Sequence, residues 1–338
     1  MVVFDGEKLE NWNSFLQNAG IKSTVASHGF CEIFSEYENG VPHLFCNEKK
    51  GHEFVFPLIL RKVPFENIEI FDAKNPYCYG GIIPGEKASI RQSDIKIFKE
   101  EFIHYLRINN VVSIFCRRNP FSKSKNFEDL LYDKNTMANK NLIVDYKEKY
   151  LVRPTTRHCI RKAESRNLQL KETNLCEIGL FVEMYEKSMQ QKKQKGFLNF
   201  ARTFWPLLQN CQNIKLYYVV YGECVIAGSL ILESENIADY YLSASLIEYR
   251  NLMPNHFMVN SLIERYRDMQ YSIFHLGGGA EQLKVFKKGF SNGFVEYKTS
   301  TIIADQEKYQ ALQIKRKEMQ EIPFGDPGFF PEYRSGFE

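Results

Sequence analysis

The strongest constraint on the fold is a β-rich block set between two amphipathic helices. Residues 215–234, KLYYVVYGECVIAGSLILES, are two runs of β-branched and aromatic residues around Gly222-Glu223. Such residues suit a pleated, half-buried surface and the glycine pair suits a turn, so the block reads as an antiparallel hairpin. Before it, EIGLFVEMYEKSMQQKKQ (177–194) puts Leu180, Phe181, Met184, Tyr185 and Met189 on one helical face. After it come a third strand, IADYYLSAS (237–245), and a helix from PNHFMVNSLIERYRDMQ (254–270). Pro254 falls in that helix's first turn, where a missing N–H costs nothing. A fourth strand, YSIFHLGGG (271–279), a short helix, AEQLKVFKKGF (280–290), and a last strand, VEYKTSTIIA (295–304), complete the series.

The first half repeats this order more faintly. EKLENWNSFLQNAG (7–20) is amphipathic, CEIFSEYENG (31–40) and HEFVFPLILRKV (52–63) read as strands, and KNPYCYGGIIPG (74–85) as a bend. DIKIFKEEFIHYLRI (94–108) carries Ile95, Ile97, Phe98, Phe102 and Tyr105 near helical spacing and precedes the β-rich NVVSIFCRR (110–118). A chain of 338 residues has room for two domains. The expected division is 1–150 and 151–338, an α/β (α+β) architecture in which each part is a mixed, mostly antiparallel sheet flanked by helices. The tail EIPFGDPGFFPEYRSGFE (321–338), with its prolines and aromatics, is expected to be an irregular strap on the surface.

Composition excludes several classes. A net charge of +3 gives no bulk field for nucleic acid, so only local patches can act that way. Charges appear by Asp5 with no apolar core after them, which argues against a signal peptide, and no run of 18 apolar residues predicts a membrane span. The eight cysteines are scattered with no CxxC pair, and no HExxH occurs, so reduced thiols, a cytoplasmic location and no metal site are expected.

Four stretches carry candidate chemistry. Gly277, Gly278 and Gly279 end a strand with neither a GxGxxG nor a Walker register. They are read either as a turn needing positive φ or as bare backbone against which a substrate lies. In VFKKGF (285–290), Phe286 and Phe290 are four apart and face inward, leaving Lys287 and Lys288 on neighbouring faces, one of which can meet a cleft. In YYLSASLIEYRNLMPNHF (240–257), the small residues Ser243, Ala244 and Ser245 end a strand, and Arg250, Asn251 and Asn255 precede or open a helix. That arrangement suits an anionic or carbonyl group, or equally an ordinary helix cap. In RPTTRHCIRKAESRN (153–167), Arg153, Arg157, Arg161, Lys162 and Arg166 form a basic stripe, either a solvated helix face or a guide for phosphates.

These stretches, with FDAKNPYCYGGIIP (71–84) and IAGSLIL (226–232), resemble the FemABX-like branch of the GNAT acyltransferase superfamily, the peptidoglycan-bridge aminoacyltransferases and their relatives. The resemblance implies two tandem GNAT-like domains. It implies transfer of an acyl group, often an aminoacyl group, to an amine on a nucleotide- or lipid-linked cell-wall or surface-polysaccharide precursor. The family's Phe–Lys pair matches Phe286–Lys287, which implies that Lys287 stabilises the oxyanion formed when an amine attacks an ester. Phe286 then walls the pocket, and Tyr240, Ser243, Ser245, Arg250, Asn255, Gly278 and Tyr79 contact substrate, with Arg161 and Lys162 on phosphate. Asp239 is the candidate general base. The donor is aminoacyl-tRNA or acyl-CoA. Two departures bear on that choice: EYRNLMPNH (248–256) lacks every glycine of the usual pyrophosphate loop, and KSMQQKKQKGF (187–197) is shorter than the family's long helical arm. The competing reading is a non-catalytic scaffold in envelope polysaccharide assembly.

Overall fold

A computed structural model describes residues 1–338 apart from 7–8, 66–68, 192–199, 201, 203, 212, 320–322, 324, 326–327 and 338. The expectation of a solvated basic run at 192–195, the end of the helical segment judged short (192–197) and part of the tail therefore lie outside the described residues. Strand β1 (Val2–Asp5) is followed by helices α1 (Leu9–Asn18) and α2 (His28–Glu38) and strands β2 (Gly40–Asn47), β3 (Phe54–Lys62), β4 (Phe71–Lys74) and β5 (Ile83–Pro84). Helix α3 (Gln92–Ile108), strand β6 (Val111–Arg117) and the single turn α4 (Lys125–Glu128) come next. Then follow β7 (Lys134–Asp145), α5 (Pro154–Glu164), β8 (Gln169–Thr173), α6 (Gly179–Gln191) and α7 (Phe204–Leu207). The hairpin β9 (Ile214–Tyr221) and β10 (Cys224–Ser234) leads to β11 (Ile237–Ser245), α8 (Pro254–Asp268), β12 (Ile273–Gly277), α9 (Glu281–Lys288), β13 (Gly293–Ile303) and α10 (Gln306–Glu318).

The chain forms two units, Met1–Ala138 with Tyr297–Glu338, and Asn139–Glu296. These bounds differ from a single cut at residue 150, because the last 42 residues (297–338) pack with the first unit. In the first unit the strands lie in the order β1-β2-β3-β4-β6-β13, with β5 beside β3. The pair β4/β6 is parallel and the other neighbours are antiparallel. In the second unit the order is β7-β12-β11-β10-β9-β8, with β11/β12 parallel and the rest antiparallel. The two topologies match: an antiparallel meander, a helical crossover (α3 or α8) to a parallel strand, and a final antiparallel strand. That final strand is drawn from elsewhere in the chain. Thr299–Ile303 of β13 complete the first unit against β6, and Leu142–Asp145 of β7 complete the second against β12.

The periodic patterns translate into packing with corrections at α2, β2 and α6, and at α3, where Ile97 is exposed. CEIFSEYENG, expected as a strand, is most of α2. Ser27 accepts the N–H of Phe30 at its start, Phe30, Ile33 and Phe34 bury one helical face, and Asn39 closes the helix at φ 51°. The apolar residues of that stretch recur at three and four, not at two, and the run of aromatic and β-branched types hid it. The neighbouring β2 (GVPHLFCN) went unread because Pro42 and His43 interrupt its apolar run. Within α6, Phe181, Met184, Tyr185 and Met189 are buried as expected, but Leu180, at the first turn, is 49% exposed.

In the second unit one face of the sheet gives Tyr217, Val219, Ile231, Tyr240, Phe274 and Leu276 to a core closed by Ile160 of α5, Met258 and Leu262 of α8, and Phe290. Helix α9 is seated on α5 at its C-terminal end. The Gly289 carbonyl accepts the Arg153 N–H (3.1 Å), and a Cβ at Gly289 would fall 2.1 Å from Thr156 Oγ1. In the first unit α3 lays Ile95, Phe98, Phe102 and Leu106 over Phe56 and Ile114.

The tail is not a surface strap. Tyr333 is fully buried with its hydroxyl 2.8 Å from Ser113 Oγ, and Arg334 reaches the carboxylate of Asp72. Asp72 is itself fully buried and also accepts two hydrogen bonds from Arg61, at 2.9 and 2.8 Å. KNPYCYGG closes the end of the parallel pair in this unit. Asn75 Oδ1 accepts the Arg117 N–H (2.8 Å), the Gly80 N–H reaches Arg117 O (2.7 Å), and the Asn119 N–H reaches Gly80 O (2.8 Å).

Two stability outcomes follow from this packing. Asp72→Ala leaves the buried Arg61 with Glu38 alone and Arg334 without its carboxylate, and is expected to cost roughly 3–5 kcal/mol in urea unfolding. Gly289→Ala is expected to lower the melting temperature, since overpacking costs about 1–3 kcal/mol, and Thr156→Ala in the same chain should recover most of that loss.

Candidate active site

The site is built on a break in the hydrogen-bond ladder of the second unit. Strands β11 and β12 pair over Ile237–Asp239 and Ile273–His275 and no further. Beyond that point β11 continues to Ser245 along β10, while β12 continues to Gly277 along β7. Parallel strands that part in this way leave main-chain groups without ladder partners on the two facing edges, at the carboxyl ends of the strands. That is where open α/β sheets take ligands.

At the root of the fork, Asp239 and His275 are register partners, and His275 Nδ1 makes a short contact with the Asp239 carboxylate. The imidazole is 2% exposed and the carboxylate 19%. The candidate base Asp239 is thus already engaged.

On the β12 side, the glycine turn leads into α9. Gly277 sits at φ 72° and Gly279 at φ 126°, conformations that side chains with a Cβ rarely adopt. A Cβ at Gly279 would also lie 2.7 Å from Leu283 Cδ2. The turn therefore needs glycine for its own geometry, and that geometry turns the Gly278 carbonyl toward α9. Lys287, 7% exposed, donates from Nζ to this carbonyl at 2.7 Å. Burial disfavours the ammonium and lowers its pKa to about 8. Lys288, its neighbour, lies at the exposed end of the same helix. Phe286 packs against the core, its ring 5.2 Å from Phe290 and 5.0 Å, edge-on, from His256.

On the β11 side, Asn255 Nδ2 donates to Ser245 Oγ at 3.0 Å, joining the strand end to the first turn of α8. The turn before it is a 3-10 helix, Ile247–Leu252, closed by Met253 at φ 58°. Within this turn the Tyr249 N–H bonds Leu246 O and the Met253 N–H bonds Arg250 O, while the His256 and Phe257 N–H groups of α8 reach Met253 O.

The predicted site residues fall into four groups. Lys287 with Gly278, and Ser245 with Asn255, meet on the two edges of the fork. Tyr240 instead joins the core, 8% exposed, its ring 6.2 Å from Phe274 and its hydroxyl bonded to Ser243 and Ser229; burial raises its pKa to about 12. Arg250 is exposed on the 3-10 helix, and Arg161 and Lys162 occupy the last turn of α5, Arg161 exposed and Lys162 half-exposed. Tyr79 belongs to the first unit, its ring 5.2 Å from that of Tyr297. Sequence reasoning missed His256, His275 and Thr156. Single residues in apolar or basic runs carry no spacing signal. Among the described residues no group of three or more His, Cys, Asp or Glu could hold a metal, and no helix is long and apolar enough to cross a membrane.

Residues 152–288 match the family described as acetyltransferase (GNAT) domain. No curated protein matches the chain by sequence. Among solved structures the chain is similar to FemX, at 12% identity and a TM-score of 0.65, covering 92% of this chain and 99% of that one. It is also similar to L-PGS from Bacillus licheniformis, at 12% identity and TM-score 0.59, covering 91% of this chain and 96% of that one. The C-terminal domain of a putative lysylphosphatidylglycerol synthetase from Agrobacterium fabrum aligns at 12% identity and TM-score 0.58, covering 91% and 94%. The forked sheet and the glycine turn with its buried lysine thus lie within the residues that match a GNAT domain, in a chain with the fold of FemX.

Proposed function

We propose that the protein is an N-acyltransferase that forms an amide between an aminoacyl group and an amine on a nucleotide- or lipid-linked cell-envelope precursor. One observation carries the reading: a buried ammonium, Lys287, held at the edge of the parted strands by a single carbonyl. A substrate carbonyl entering the fork exchanges places with Gly278 O. As the amine attacks, the carbonyl oxygen gains charge, and the desolvated Lys287 ammonium stabilises it far more than it stabilises the neutral ester. Phe286 fixes the helix that delivers the lysine, and Ser245 and Asn255 bound the opposite edge.

The backbone bears on the choice of donor. Acyl-CoA needs free amides ahead of the long helix to hold its pyrophosphate, and here the Tyr249 and Met253 amides are bonded within their own turn. That supports an aminoacyl ester, with charged tRNA as its source, over acyl-CoA. It agrees with the names of two neighbours, FemX and a lysylphosphatidylglycerol synthetase. The exposed stripe of Arg153, Arg157 and Arg161 on α5, whose first residue is tied to the end of α9, is the candidate phosphate guide. A cytoplasmic location is part of the same proposal, since charged tRNA is found there.

Lys287→Ala is expected to lower kcat about a hundred- to a thousand-fold in transfer from a charged-tRNA pool to a UDP-linked sugar-peptide bearing a lysine amine, with the circular dichroism spectrum unchanged. A fully active, folded variant rejects the role. The wild-type rate should fall as pH rises through about 8, when Lys287 loses its proton.

Stability should move the other way. The lysine's folded pKa lies below its unfolded value near 10.4, so the unfolded state binds more protons between them and stability rises with pH across that window. Lys287→Met removes this dependence. In denaturant titrations the wild type should gain on the variant between pH 7 and pH 10.

A further inference from the structure

The reaction needs a proton acceptor, and the residue expected for it from sequence is engaged: Asp239 is bound to His275. A second imidazole packs against the residue that precedes the lysine. His256 is the third residue of α8, one position after the Asn255 that bonds Ser245, so it rises from the β11 edge of the fork. Its ring meets Phe286 edge-on at 5.0 Å and Phe290 at 5.9 Å, and Phe286 is the residue before Lys287. The two aromatic rings pack against the imidazole. No hydrogen bond to either ring nitrogen is made among the described residues, although the side chain is only half-buried. Position and packing thus fix the ring while leaving its nitrogens for a ligand.

We infer that His256 is the general base of the acyl transfer, taking the proton from the attacking amine. The inference rests on the acyl-transfer reading above. The neutral amine attacks the carbonyl carbon and the N–C bond forms, leaving an oxyanion at Lys287 and a positive charge on nitrogen. The nitrogen passes one proton to a ring nitrogen of His256. The intermediate then collapses, the bond from carbonyl carbon to the donor oxygen breaks, and the imidazolium returns the proton to that oxygen. The products are an amide and an alcohol, and the enzyme is unchanged. Burial and the positive end of α8 both disfavour the imidazolium, so the ring is in its basic form at neutral pH.

The test compares the wild type with His256→Phe, which keeps the aromatic packing, and His256→Gln, which keeps a polar group. The donor is a charged-tRNA pool and the acceptor the UDP-linked sugar-peptide bearing a lysine amine. The expected result is a kcat at least about a hundred-fold lower in both variants, with KM within a few-fold of wild type. The wild type's rate is expected to fall on the acid side, at a pH below the ordinary imidazole range because burial lowers the His256 pKa; that acid limb should vanish in both variants, and added imidazole should restore part of the rate to His256→Gly. Lys287→Ala, by contrast, should keep the acid limb. Full turnover with an intact acid limb in His256→Phe and His256→Gln overturns the assignment and leaves the acyl-transfer reading standing. Absence of turnover by the wild type with either charged tRNA or acetyl-CoA overturns both.

Discussion

The candidate site depends on a hydrogen-bond ladder that stops after three residues. Had β11 and β12 stayed paired to their ends, Ser245 and Gly277 would lie on one continuous pleated surface with no room for a ligand. Because they part, main-chain groups face each other across a gap, and the elements that follow each strand, the first turn of α8 and the glycine turn before α9, line its two sides. The first unit has the same topology but a different ending. There Asn75 and Gly80 bridge to Arg117 and Asn119, so KNPYCYGG closes the strand ends that stay open in the second unit.

The buried lysine is a cost the fold accepts. An ammonium at 7% exposure has lost most of its water, and one carbonyl replaces only part of it. Three features hold it there. The positive φ of Gly277 and Gly279 aims the Gly278 carbonyl, Phe286 and Phe290 anchor the inner face of α9, and the bare Cα of Gly289 lets the helix end rest on Thr156 of α5. The same desolvation that destabilises the ammonium makes it a strong partner for an oxyanion.

The first unit manages buried charge differently. Asp72 and Glu38 are paired with Arg61 and Arg334 largely out of solvent, as Arg118 is with Glu128. These groups are mutually satisfied, so they confer position and not reactivity. Their partners come from distant parts of the chain: Arg334 lies in the tail, and that is why a tail whose composition suggested a surface strap is packed against β4 and β6.

Periodicity determined most of the element list. Hydrophobic spacing of three and four marked α3, α6 and α8, alternation and a glycine turn marked the β9–β10 hairpin, and the glycine run marked the strand-to-helix turn. The same local logic failed at α2, where aromatic content outweighed spacing, and at Tyr240, where a tyrosine beside small residues looked available for substrate but faces the core. Spacing set Phe286 and Phe290 inward but left Lys287 and Lys288 alike as candidates, and only the family resemblance singled out Lys287. Only the tertiary structure decided that β11 and β12 part, that β7 and β13 complete sheets remote from them in sequence, and that His256 stands against Phe286 while His275 occupies Asp239. Local pattern reports how a residue lies relative to its neighbours in the chain. Which strand ends stay unpaired, and which side chains meet across a fork, depends on contacts between segments that sequence spacing does not encode.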